Sequence, residues 1–240
     1  MTTAARALPA GGSRSRQQLP DEVATYVREL IMSGEARPGE FLRMERIAEA
    51  VGVSNTPVRE GLLALSSEGF VQLVPRRGFV VANFSPQDVR DLFWAQAQLA
   101  GELAARSAKT ISPARLARLE ELIDLHEKAV MSGQDNDAVS ALNHAFHREV
   151  NLAADSEHLA RLLASIVKHF PNRFYSEIEG QVQGCRVDHP KILQALRKHS
   201  VRQARALMQE HIQSRGDVLV AMLDERGVWD HNEAEREPVA

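Results

Sequence analysis

Apolar residues between positions 21 and 69 recur every three or four residues in three separate blocks, the spacing that turns one side of a helix toward a core. The blocks predict helices over about 21–33, 44–51 and 55–69. Pro20 and Asp21 open the first. Gly52 in "VGVS" breaks the second, and Ser54 stands where it can cap the third, with Pro57 tolerated in its first turn. The period then changes. In "FVQLVPRRGFVVANF", residues 70–84, apolar and β-branched side chains flank a Pro-Arg-Arg-Gly turn, which predicts a short hairpin. Helix, glycine-containing turn, helix and hairpin is the order of a winged helix-turn-helix.

From Ser85 onward the helical period returns and stays. Six helices are expected, over about 86–109, 112–132, 136–154, 157–179, 189–199 and 201–225. Ser85-Pro86 and Ser112-Pro113 are good starts, since serine caps and proline fits the first turn. The predicted fold class is therefore mainly α: a winged helix-turn-helix with a small β-wing over 19–84, then an all-α antiparallel bundle over 85–226. Residues 1–18 and 227–240 lack apolar periodicity and are expected to be disordered tails, the second of them acidic.

Composition narrows the chemistry. With 240 residues, 44% of them apolar, the chain can fill two cores. No run approaches the ~18 apolar residues of a membrane span, and the N-terminal segment lacks the apolar centre of a secretory signal, so a cytoplasmic protein without membrane contact is expected. The single cysteine, Cys185, rules out an internal disulfide and a zinc–thiolate cluster; a metal would need nitrogen and oxygen ligands. A passive thiol is the expected state of Cys185. The net charge of −3 argues weakly against nucleic acid. Residues 1–84, however, carry ten Arg and no Lys against nine acidic residues, so DNA affinity would depend on where those arginines sit.

A helix beginning at Asn55 presents Asn55, Thr56 and Arg59 from its first turns, where a recognition helix meets the major groove, while Val58, Leu62, Leu63 and Leu65 turn toward the core. Arg59 suits a bidentate pair with a guanine edge, and Ser54 and Thr56 suit phosphates. Gly78 permits close approach at the wing tip, between Arg76, Arg77 and the minor groove. Singly, each arginine reads as a solvated surface charge; in one helix-turn-helix and wing frame that reading loses ground.

Nine histidines offer a second constellation. Leu142, Phe146, Val150 and Ala153 form an apolar stripe, with Asn143 and His147 on its border one turn apart and His144 pointing away. His189, at the expected start of a helix, shares a face with Ile192, Leu193 and Leu196, and His211 follows Leu207 and Met208 at helical spacing. One histidine on an apolar face is usually a hydrogen-bonded core residue. Three from three helices, with an amide one turn from the first, favour a divalent metal held by imidazole nitrogens and one oxygen. The rival reading is a metal-dependent hydrolase. It would need an open coordination position and a general base; no HExxH pattern surrounds His147, and the wheel puts Glu149 on the opposite border of the stripe.

The stretch "RIAEAVGVSNTPVREGLLALSSEGFVQLVPRRGFVV" resembles the winged helix-turn-helix of the GntR family of bacterial transcription regulators. It carries Gly52-Val53-Ser54, Thr56 to Glu60, Leu62 to Leu65, Glu68-Gly69 and Arg76 to Gly78 in the family's order. Where the family usually has arginine, this chain has Asn55, which removes one positive charge and changes the expected base preference. The part after Ser85 resembles the FadR C-terminal (FCD) effector domain. A subset of that branch holds a metal on an Asp or Asn four residues before a Phe-His histidine, a second histidine opening a later helix, and a third about twenty-two residues on. Here those places are Asn143, His147, His189 and His211, the last two 22 apart. The resemblance implies a divalent metal, zinc first with nickel or manganese as alternatives. It also implies a homodimer on palindromic double-stranded operator DNA and a small-molecule effector, an organic acid. The arginine and glutamate that clamp an effector carboxylate in many relatives are replaced by Gln96 and Ala100, leaving Gln96, Arg148 and Arg173 as effector candidates, with Arg161 and Lys168 nearby.

Overall fold

The computed structural model describes residues 18–170, 174, 175, 177 and 184–229. They form two compact units, the first from residues 18–84 together with 226–229, the second from 85–225.

The first unit runs α1 (Gln18–Met32), β1 (Phe41–Leu42), α2 (Met44–Val51), α3 (Asn55–Ser67), β2 (Val71–Val74) and β3 (Gly78–Val81). The antiparallel sheet has the order β1-β3-β2, with Phe41 opposite Val80 and Leu73 opposite Phe79. The hairpin stands where the change of period put it. Strand β1 was not anticipated, because a two-residue strand has no alternation to read. Val23, Val27, Ile47, Val58, Leu62, Phe70 and Phe79 fill the core. Gly61 is required where α3 crosses α1: a Cβ there would lie 2.7 Å from the Pro20 carbonyl oxygen and 2.9 Å from Val23. Gly52 caps α2 in the left-handed region at φ 74°, stopping the helix and starting the turn. Arg28 is buried and forms a bidentate pair with Glu68 just past the end of α3, Nε donating to Oε2 at 3.1 Å and Nη2 to Oε1 at 2.8 Å, so this arginine ties α1 to α3.

Residues 226–229 correct an expectation. The sequence reading assigns residue 226 to the helical bundle and 227–229 to a tail; all four belong to the first unit, with Trp229 buried and its ring 6.0 Å from that of Phe84. One large aromatic side chain supplies the area that the surrounding polar residues lack.

The second unit contains α4 (Pro86–Thr110), α5 (Pro113–Met131), α6 (Asn136–Ala153), α7 (Glu157–Val167), α8 (Gly184–Arg197) and α9 (Val201–Glu225). Ser85 and Asp88 make a reciprocal capping box on α4, Ser112 caps α5 and Asp135 caps α6. The two longest helices, α4 and α9, pack antiparallel and close. A Cβ at Gly101 would stand 2.5 Å from Gln209, and one at Gly216 would stand 2.8 Å from Phe93. Leu103, Leu119, Phe146, Val150, Ile192, Leu196 and Met208 form the core around this pair.

Two boundaries differ from the sequence reading. Helix α7 stops at Val167 rather than 179, consistent with Pro171, which disfavours helical backbone in the residue before it; of residues 171–183, only 174, 175 and 177 are described, all helical. Helix α8 begins five residues before His189, with Pro190 inside it. His189 is therefore an interior position, because proline within the first two turns removes one hydrogen bond without ending the helix.

Candidate metal centre and nucleic-acid interface

In the first unit, Ser54, Asn55, Thr56, Arg59, Arg76 and Arg77 are all exposed. Ser54 is the N-cap residue of α3 in extended conformation, but its side chain makes no capping hydrogen bond. That departs from the expected cap and leaves the hydroxyl at the helix N-terminus, where the backbone dipole favours a phosphate. Asn55, Thr56 and Arg59 follow along the first turns, and Leu63, one turn beyond Arg59, shares their surface. Leu63 is 42% exposed, which corrects its assignment to the core; Val58, Leu62 and Leu65 alone of that set are buried. At the wing, Arg76 holds φ at 63° and Gly78 at 102°, so the β2–β3 turn is built from left-handed residues. The Arg77 guanidinium lies 4.7 Å from the centre of the Phe41 ring, an orienting cation–π contact supplied by β1.

The second unit holds the four predicted ligands and clusters three of them, the histidines. α6 brings Asn143 and His147, α8 brings His189, and α9 brings His211. The ligating nitrogens of the three histidines all lie within 4.8 Å of one another. His211 Nε2 is 3.1 Å from His147 Nε2 and 3.3 Å from His189 Nε2. Two nitrogens bound tetrahedrally at ~2.0–2.1 Å from a zinc ion stand about 3.3 Å apart, so the donor set and these two spacings suit such an ion. Asn143 is buried one helical turn before His147 and lines the same cavity.

Groups around the rings fix them. His211 Nδ1–H donates to Asp188 Oδ2 at 3.2 Å, which leaves the Nε2 lone pair facing the other two imidazoles. The Phe146 ring stacks on His189 at 3.9 Å and 13°. Arg215, one turn after His211 and buried, donates from Nη1 to the His211 carbonyl. Burial holds the imidazoles neutral: His147 and His189 are driven well below the ordinary value, and His211 falls to about 4 although Asp188 opposes the shift. The hydrogen bond from His211 in turn lowers Asp188. Neutral imidazole is the form that binds metal. Glu149, the one acid weighed as a general base, is held by Arg115 at 2.6 Å.

A cavity of about 530 Å³ adjoins the histidines, with Asn143 and His147 in its wall. Gln96 and Arg148 line it, as do Arg161 and Lys168; Arg173 lies outside the described residues. Three lining residues carry information that the sequence did not yield. Arg215 brings a buried positive charge to the wall, Tyr175 places its hydroxyl 3.3 Å from Gln96 Oε1, and His144 stands edge-on to Tyr175 with ring centres 5.8 Å apart. His144 therefore faces the cavity and not solvent, a correction to the wheel reading, and burial lowers its pKa. Nothing in the sequence marked Arg215 or Asp188 except their spacing: four residues after one candidate ligand and immediately before another.

Comparison with known proteins agrees with this division. Residues 19–81 match the bacterial regulatory proteins of the gntR family, and residues 91–214 match the FCD domain. The chain is 24% identical over 204 residues to the uncharacterized HTH-type transcriptional regulator YdhC of Bacillus subtilis, covering 83% of this chain and 90% of YdhC. It is 26% identical over 224 residues to the Uxu operon transcriptional regulator of Escherichia coli, covering 83% of this chain and 86% of that protein. Among solved structures, E. coli McbR/YncC superposes with a TM-score of 0.61 at 21% identity, over 85% of this chain and 98% of McbR. These relatives are regulators and not hydrolases. The protein belongs to the GntR family of bacterial transcription regulators, in the FadR-type branch that joins the DNA-binding unit to an FCD domain.

Proposed function

We propose that the protein is a one-component, metabolite-responsive regulator that binds a palindromic operator as a homodimer in the cytoplasm. Two copies of α3 related by a two-fold axis match two half-sites one helical turn apart. Within each half-site Arg59 reads a base edge, Asn55 contacts adenine or phosphate, and Ser54 and Thr56 hold the backbone. Arg76, Arg77 and Gly78 carry the wing to the minor groove.

In the FCD domain, Asn143, His147, His189 and His211 hold a divalent metal, zinc before nickel or manganese. The observation that carries this reading is the convergence of three neutral imidazoles, two of them buried and the third half-buried, beside a cavity in a chain that also carries the DNA-reading frame. The neutral Asn143 oxygen gives the site one negative charge fewer than an aspartate would. When bound, the metal supplies a positive charge and a coordination position open to an acidic effector. Gln96, Arg148 and Arg173, joined by Arg215, receive the remainder of that ligand. An effector alters operator affinity only through contacts that differ between two arrangements of the protein.

A mobility-shift titration with Arg59→Ala tests the DNA half. Operator affinity is expected to fall at least about tenfold, with the melting temperature unchanged, since one bidentate base contact contributes ~1–3 kcal/mol. Retained affinity would overturn the assignment of α3 as the reading helix.

A further inference from the structure

The cavity wall is specific about its occupant. Phe93, Ala100, Leu152, Leu163, Val167 and Ile212 make most of it apolar, which a small polar acid would leave wetted and uncontacted. The antiparallel register of α4 and α9, with Gly101 against Gln209 and Phe93 against Gly216, sets Gln96 level with the stretch from His211 to Arg215. Carboxylate-binding groups and the Gln96 amide therefore share one end of the cavity.

Gln96 is 2% exposed, and its Nε2 has no hydrogen-bond partner among the described residues. Its Oε1 lies 3.3 Å from the Tyr175 hydroxyl, which is also 3.2 Å from the Val167 carbonyl oxygen. One hydroxyl proton cannot serve both acceptors fully. Turning the amide over would let Nε2 donate to Tyr175 and would leave Oε1 open instead. In either orientation one buried amide atom lacks a partner. A ligand hydroxyl, able to donate and to accept, satisfies both cases.

The mouth of the cavity adds sign. Exposed Arg148, Arg161 and Lys168 stand at it against a single acid, Glu157, which already pairs with Arg161 at 3.0 Å. Inside, Arg215 is the buried cation. An anion is drawn in, and its apolar part has an apolar wall to cover.

We infer that the effector is a hydroxy monocarboxylate with an extended apolar body, of medium-chain or aryl size, whose hydroxyl is received by Gln96. This rests on the sensor reading above. The carboxylate lies toward His147 and Arg215, and the body runs along Leu163, Val167 and Leu152 between α6 and α7.

Calorimetric titration of the zinc-loaded full chain with 2-hydroxyoctanoate, lactate, octanoate and octane-1,2-diol tests it. Each buried methylene tightens binding about fourfold, so 2-hydroxyoctanoate is expected to bind at least about a hundredfold more tightly than lactate. Octanoate should bind about tenfold more weakly than the hydroxy acid, for want of one buried hydrogen bond. The diol, without a carboxylate, should bind weakest of the eight-carbon probes. Gln96→Leu should remove the advantage of 2-hydroxyoctanoate over octanoate. Lactate binding as tightly as 2-hydroxyoctanoate, a diol equal to the acid, or no binding by any probe would overturn the inference. Metal content and operator mobility shifts measured on the same preparation separate the two levels. Their loss would sink the sensor reading, whereas a reversed ligand order with both intact would sink only the ligand class.

Discussion

The DNA-reading face and the histidine centre use similar numbers of polar side chains and place them in opposite environments. Ser54, Asn55, Thr56, Arg59, Arg76 and Arg77 stand exposed on one helix and one turn, where solvent reaches them. His189 and His211 are buried, with the Phe146 ring stacked on His189, so their lone pairs are withdrawn from bulk solvent. An exposed polar group costs the fold almost nothing when its ligand is missing. A buried cluster of unprotonated nitrogens carries a desolvation penalty that only a bound cation offsets in full. The first unit should therefore be indifferent to its ligand in stability, and the second should depend on its own.

The largest test of that contrast is His189→Ala. Removing the ligand from the middle of α8 should reduce bound zinc from about one per chain to a trace. It should also destabilise the FCD domain by about 4 kcal/mol at metal concentrations near a thousand times Kd, because that linkage is lost. Chelation of the wild-type protein should give the same fall in melting temperature. Arg59→Ala should leave it unmoved. Unchanged metal content in His189→Ala would dissolve the contrast, since both sets of side chains would then be ordinary polar decoration.

Acid should separate the two environments next. In the metal-free protein the folded pKa of His211 is about 4, below the ordinary histidine value, so the unfolded chain binds the proton more readily than the folded one. The stability that His211 contributes is thus present above about pH 6.5 and is lost as pH falls toward 4, on the order of 3 kcal/mol over the window. His147 and His189 are shifted in the same direction and add to the loss. Denaturant melts of metal-free protein at pH 7.5, 6 and 5 measure it. A midpoint independent of pH would show that the centre is open to water.

The same contrast explains what the sequence disclosed. The DNA-reading frame is local: a glycine turn, a capping position, a helix and a wing within about thirty residues, so order and spacing nearly define it. Even there Leu63 was placed in the core, because a leucine near a helical stripe looks buried until the sheet and α1 show which flank they cover. The histidine centre is assembled from three helices, and only its ligands left a trace, through their periodicity and a familiar spacing. Asp188 and Tyr175 act through residues 23 and 79 positions away in sequence, for which a wheel has no register, while Arg215 stands one turn from His211 and carries no sign in the sequence of the cavity it lines. Tail residues 227–229 misled for a similar reason, since one Trp in a polar stretch has no period.

His144 carries the smallest and most discriminating effect. It adjoins Asn143 in sequence and lines the cavity, yet it is absent from the set of converging ligand nitrogens and instead presents its ring edge-on to Tyr175 at 5.8 Å. His144→Ala should therefore leave zinc stoichiometry unchanged and lower stability by no more than about 1 kcal/mol, the scale of one aromatic edge contact. Effector affinity should shift while metal does not, because the ring borders the Tyr175–Gln96 pair and not the metal. Plasma-emission metal analysis beside a thermal melt reads both quantities on one sample. A loss of zinc matching that of His147→Ala would move His144 into the coordination sphere and would mean that α6 presents its other flank to the ion, displacing Asn143 as the oxygen ligand.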